Sequence, residues 1–233
     1  MTEAANLPTE LTETPAPPGS LWARMKADPQ YAPEHMALEA VRRLGPEAAA
    51  WAERMRAEHP DRTPDQLADL AIKRFTTLAR ISGAVSGATG LPGAVLDVGV
   101  LAWNQARMVL HIAAAYGHDP TASERATELL VLQRVHKVAQ TARLALGVAA
   151  GRERAVKLFA GAATRPLSGV MVRLGMKLAQ MAGVHAAKRM FAKMIPGASI
   201  VLGTWVNSAA TKDLAGRARE VYRHARAKFP AWD

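Results

Sequence analysis

Cysteine is absent, so disulfides, thiolate nucleophiles and cysteine-based zinc or iron–sulfur sites are excluded. Aromatic residues make up only 5% of the chain, and Ala, Leu, Val, Met and Arg dominate instead. Small and straight-chain side chains favour helices that pack closely, while strand formers are scarce. The expected fold is all-α, a compact multi-helix bundle whose core draws on the 49% of residues that are hydrophobic. Acids are missing over a long stretch. From Leu129 to Lys212 the sole acid is Glu153, against thirteen lysines and arginines, and the whole chain of 233 residues carries a net charge of +10. A field of that sign attracts phosphate on lipid headgroups or nucleic acid, or an acidic protein. Bases spread over an ordinary solvated surface fit the same composition.

The usual marks of catalysis are also lacking. The glycine-rich run at 83–90 has neither the dinucleotide fingerprint nor the Lys-Ser or Lys-Thr of a phosphate loop, and Ser86 lacks the glycine two residues before it that a nucleophile elbow needs. No histidine spacing matches a metal site, and most of the seven histidines read as surface residues. Neither enzyme activity nor a cofactor is expected. Asp97, Asn104 and His111 recur every seven residues and share one helical stripe with Arg107 nearby. At 1.5 Å of rise per residue, Asp97 and His111 stand about 21 Å apart, too far to share a metal or a proton. The stripe therefore reads as polar side chains bonding partner helices. A functional version has Asp97 neutralising Arg107 or a base on another hairpin.

Two apolar segments are each interrupted by Pro-Gly, at Pro92-Gly93 and at Pro196-Gly197, with Gly99 and Gly203 following. Proline removes a backbone donor and glycine accepts almost any backbone angle, so each pair predicts the bend of an apolar helical hairpin. The only charge from Ile81 to Ala106 is Asp97, and Met194 to Thr211 has none, so either segment is long enough to touch a bilayer. Asp97 and Arg107 argue against a conventional span. Small residues four apart, Ala79-Gly83-Gly87 and Gly147-Gly151, would let helix backbones approach closely.

Along the chain, residues 1–33 read as a flexible acidic, proline-rich tail, and 34–62 as an appendage of two short helices (36–44 and 47–58) separated by Gly45-Pro46. Residues 63–229 form the main helical domain. Thr63-Pro64-Asp65 starts a helix running to about 88, and a second runs from 94 to 116, with Gly117 as a left-handed terminator. Thr121 to Glu124 fits a capping box opening a helix through Leu146. Further helices are expected at 152–163, 166–182, 199–211 and 213–228.

The run Gly87 to Gly93, then Asp97, Arg107 and Ile112 to Gly117, resembles the first signature of the EcsC family. A second likeness runs from Ala187-Lys188-Arg189 through Lys193 to Ala198, then Gly203, Asn207 and Ala218 to Tyr222. The resemblance implies a bacterial, largely helical, membrane-associated protein with no catalytic residues to carry over. Its founding member accompanies an ABC transporter, which makes a transporter component one partner to expect. Two functions follow. One is a membrane-associated accessory or scaffold protein, cytoplasmic or peripheral on the inner face of the plasma membrane, whose basic surface at Lys188, Arg189 and Lys193 meets anionic lipid or that transporter. The other is a soluble basic helical protein that binds nucleic acid or an acidic protein.

Overall fold

A computed structural model describes residues 16–85, 90–158, 173–174, 176–178, 180–181 and 199–228, and every regular element among them is helical. The helices are α1 (Gly19–Ala27), α2 (Ala32–Glu58), α3 (Pro64–Val85), α4 (Gly90–Ala115), α5 (Glu124–Leu132), α6 (Ala139–Leu158) and α7 (Ser199–Lys228), with a 3₁₀ turn at Pro29–Tyr31. The described residues between 173 and 181 are also helical.

The bundle is built around α4. Every residue from 101 to 116 is buried, and α2, α3, α5 and α7 all pack on this helix. A helix apolar on every side has to be enclosed, and here the bundle encloses it. That accounts for the end of the low-charge run, from 101 to 106. Among the described residues no helix is long and apolar enough to cross a membrane. The hairpin of α3 and α4 is antiparallel, since the Tyr116 hydroxyl just past the end of α4 donates to Asp65 Oδ1 in the first turn of α3 at 2.5 Å.

Several boundaries fall elsewhere than expected. Pro92 and Gly93 lie inside the first turn of α4, not ahead of it. The leading amides of a helix have no intrahelical partner, so a proline there loses no bond. Residues 86–89, between α3 and α4, lie outside the described residues, as do Pro196 and Gly197. Gly45-Pro46 does not divide α2, which runs unbroken through both. Met36, Ala40, Leu44, Ala48, Trp51 and Ala52 form one buried face across the proline, and the contacts of that face outweigh the lost hydrogen bond. Gly45 is itself needed, because a Cβ there would stand 2.7 Å from the Pro120 carbonyl oxygen. Likewise Gly99 lies under the Trp22 ring, where a Cβ would come within 2.2 Å.

Residues 19–27, expected within a flexible tail, instead form α1, which buries Leu21 and Met25 in the common core. The paired helices expected at 199–228 are one helix of 30 residues. By contrast Gly147 and Gly151 meet no neighbour within 4 Å, so they do not mediate a close helix contact.

Capping explains where helices begin and end. Thr63 and Gln66 form a reciprocal box, with the Gln66 amide donating to Thr63 Oγ1 at 3.3 Å and the Thr63 amide to Gln66 Oε1 at 2.8 Å. The box expected at Thr121 to Glu124 does not form. Instead the Thr121 amide and hydroxyl both donate to Asp119 Oδ1, at 2.8 and 2.6 Å, and Ser123 makes no side-chain cap. Gly117, at φ +86°, ends α4 as expected, with the His118 amide bonded to Ala113 O and the Gly117 amide to Ala114 O.

The helix expected to continue through Leu146 stops at Leu132 by the same motif, with Arg134 in the left-handed position at φ +59°. The Val135 amide reaches Leu130 O and the Arg134 amide Val131 O. A non-glycine residue in that conformation costs on the order of 1 kcal/mol. Arg134→Gly is therefore expected to raise the urea midpoint, stabilising the fold by about 0.5–1 kcal/mol; a lower midpoint would show that the arginine side chain matters more than its backbone.

Candidate functional site

The polar stripe on α4 is drawn into the core. Asn104, Arg107 and His111 are all buried, His111 completely. The partner of Arg107 is Glu47 of α2, whose carboxylate accepts from Arg107 Nε at 2.8 and 3.1 Å and also from Nη2. The guanidinium lies over the Phe75 ring of α3, 5.5 Å from its centroid. His111 is held between Phe75 and Trp51, with centroids 4.9 and 5.1 Å away.

The protonation of His111 follows from its neighbours. Nδ1 stands 2.8 Å from the Arg107 carbonyl oxygen, which can only accept, so Nδ1 carries the proton. Burial, with the Arg107, Arg74 and Arg54 charges adding to it, pulls the imidazole down to about 3, so the ring is neutral. Nε2 then presents a lone pair toward Glu47 Oε1 at 3.7 Å and has no hydrogen-bond partner among the described residues. A base this enclosed meets no substrate, and the centre acts as a structural joint among three helices. Arg107 is thus neutralised by Glu47, a residue the sequence places on a separate appendage. A visible clue exists: Glu47 is the one acid at helical spacing among Ala40, Leu44, Ala48 and Trp51.

The EcsC protein family profile matches residues 60–226, well over half of the chain. The chain belongs to the EcsC protein family. No curated protein and no solved structure matches it. Helices α1 and α2 precede the EcsC segment, yet α2 packs on α4, α5 and α6 and supplies the counter-charge at its centre.

Around this centre, acids of the N-terminal half pair with bases farther along. Asp28 accepts from Arg152 Nε at 2.9 Å and lies 3.3 Å from His35 Nε2. Glu34 meets His136 Nε2 at 2.7 Å, and Asp65 and Asp69 hold Arg223 and Arg219. His35 is therefore buried beside a carboxylate, against the expectation of a surface histidine. Glu39 is 3% exposed and takes hydrogen bonds from Arg24, Arg42 and Arg43. Burial works to raise its carboxyl, but the three guanidinium bonds prevail and bring it down to about 2. Its contribution to stability is complete above the ordinary carboxylate range and fades as pH falls toward 2.

The basic residues Lys188, Arg189 and Lys193 lie outside the described residues, as does the side chain of Asp97. A different group of cations is on view. Lys137, Arg143 and Arg173 are exposed, Lys177 is half-buried, and none has an acidic partner among the described residues. Arg173 and Lys177 line a cavity with Pro29, Gln30, Met176 and Gln180. Among the described residues no cluster of three His, Asp or Glu side chains is placed to hold a metal ion.

Removing Glu47 strands a buried cation, whereas removing Arg107 leaves a carboxylate that is 33% exposed and can rehydrate. Glu47→Met is expected to cost about 3 kcal/mol in denaturant unfolding, with Arg107→Met costing less and the double variant less than Glu47→Met alone. Additive losses would mean that the two side chains do not act as a pair.

His111 also gives stability a pH dependence with a definite sign. Its folded value lies below its unfolded one, so the unfolded chain binds more protons as pH drops below about 6.5 and stability falls. Between pH 7 and 5 this amounts to about 2 kcal/mol, which His111→Leu should remove from the wild-type decline. Parallel stability curves for the two proteins over that range would contradict a neutral buried imidazole.

Proposed function

We propose that this EcsC protein acts by binding, as a peripheral protein that docks its basic second half on anionic headgroups at the inner face of the plasma membrane. The observation that carries the reading is apolar side chains standing exposed among exposed bases. Leu144 is 67% and Val148 45% exposed on α6, with the exposed Arg143 next to Leu144, and Met176 is 54% exposed between the exposed Arg173 and the half-buried Lys177. A surface of this kind gains from both partners of a bilayer interface, since apolar groups enter the acyl boundary and cations meet phosphate. With α4 enclosed by its neighbours, the apolar hairpin of α3 and α4 need not insert.

Electrostatic attraction to a charged bilayer is worth about 1 kcal/mol per basic residue near the surface and is screened by salt. The protein is expected to float with vesicles containing phosphatidylglycerol and not with neutral phosphatidylcholine. Raised salt should release it, and changing Lys188, Arg189 and Lys193 together to glutamate should reduce binding at least tenfold. Equal flotation on neutral and anionic vesicles would refute the electrostatic reading. A gel shift on random DNA at matched salt, if tighter than vesicle binding, would favour nucleic acid instead.

A further inference from the structure

The cavity beside the 3₁₀ turn has a composition that anion attraction alone does not require. It holds about 260 Å³ and is lined by Pro29 and Gln30 on one side and by Arg173, Met176, Lys177 and Gln180 on the other. Leu174, Leu178 and Met181, each one residue on and so about 100° round the helix, are buried, while Arg173, Lys177 and Gln180 stand at i, i+4 and i+7 along the cavity wall. Among the described residues no acidic side chain lines it. The nearest acid in sequence, Asp28, is engaged by Arg152 and His35, and the Arg152 guanidinium sits over the ring of Tyr31, 5.3 Å from its centroid.

We propose that this cavity binds a phosphate group carried on a small polyol, with Arg173 and Lys177 meeting the charge and the Gln30 and Gln180 amides donating to its oxygens. The inference rests on the docking reading above and names the site within it. Like charges at i, i+4 on a helix repel one another, and an anion between them relieves that repulsion while gaining charge-assisted hydrogen bonds. Met176 and the buried Pro29 supply an apolar wall on which a short carbon chain can lie. Size limits the carrier. Sites for drug-sized ligands run from about 300 to 1,000 Å³, so a cavity at the lower edge suits phosphoglycerol better than a nucleotide. The phosphate can be free or can belong to a lipid headgroup.

Two assays on the full-length chain separate those sources. Calorimetric titration with glycerol 3-phosphate reads the soluble compound, and flotation on phosphatidylglycerol vesicles reads the headgroup. The paired substitution Arg173→Gln with Lys177→Gln removes the site, and Lys137→Gln with Arg143→Gln removes the same charge outside the cavity. Saturable binding that falls at least tenfold in the first variant, and less than twofold in the second, supports the site in either assay. An effect confined to titration identifies a free phosphate compound, and one confined to vesicles identifies the headgroup. Equal losses in the two variants would overturn the proposal in favour of a diffuse field, as would no loss in either assay. Glycerol phosphate binding that depends on Arg173 and Lys177, in a protein that never floats, would retain the site and remove the membrane reading. Matching circular dichroism melts for both variants establish that the fold is intact.

Discussion

The enclosure of α4 is the constraint from which the rest of the structure follows. A helix buried on every side cannot keep a guanidinium in water, so Arg107 requires a carboxylate brought to it from another helix. Glu47 fills that requirement, and in doing so fixes how α2 lies across α4. His111 and Phe75 close the remaining space, and the neutral imidazole avoids adding a second charge to a site that already holds a matched pair. Replacing such a pair with apolar groups is often close to neutral for stability. The arrangement is therefore better understood as setting register among α2, α3 and α4 than as a source of folding energy.

Charge is distributed differently in space than along the chain. The stretch after Leu129 is almost devoid of acids, but Asp28 and Glu34, with Asp65 and Asp69 of α3, fold onto Arg152, His136, Arg223 and Arg219. Of the thirteen bases from Leu129 to Lys212, Arg152 is engaged by one of these long-range pairs. Among the described cations without an acidic partner, Lys137, Arg143, Arg173 and Lys177 lie beside exposed apolar side chains, which gives that surface a mixed basic and apolar character. The Asp28–Arg152 and Glu34–His136 pairs tie the residues before the EcsC segment to residues within it, so the family segment and the packed core are not coextensive.

Helical content, the starts of α3 and the end of α4 were readable because each depends on a few neighbouring residues: a threonine ahead of a proline, or a glycine free to take a positive φ. The union of α2 across Gly45-Pro46 was not, because the local signal for a break is real and loses only to apolar contacts with α4 and α5. The end of α5 was hidden for a related reason, since Arg134 takes a backbone conformation its residue type disfavours. Of the polar stripe, Arg107 bonds a partner helix as expected, whereas the hydrogen bond of His111 goes to its own helix. Glu47 was missed, because no spacing along the chain links positions sixty residues apart.

Composition and periodicity by themselves determined an all-helical chain with no thiol chemistry, a basic second half and two stretches almost free of charge. Tertiary structure alone decided which acid meets which base, where Pro92 falls relative to its helix, and that Arg173 and Lys177 share a cavity with Gln30. Secondary structure is largely set within a few turns of the chain, whereas ion pairing and cavities depend on distances between helices that only packing establishes.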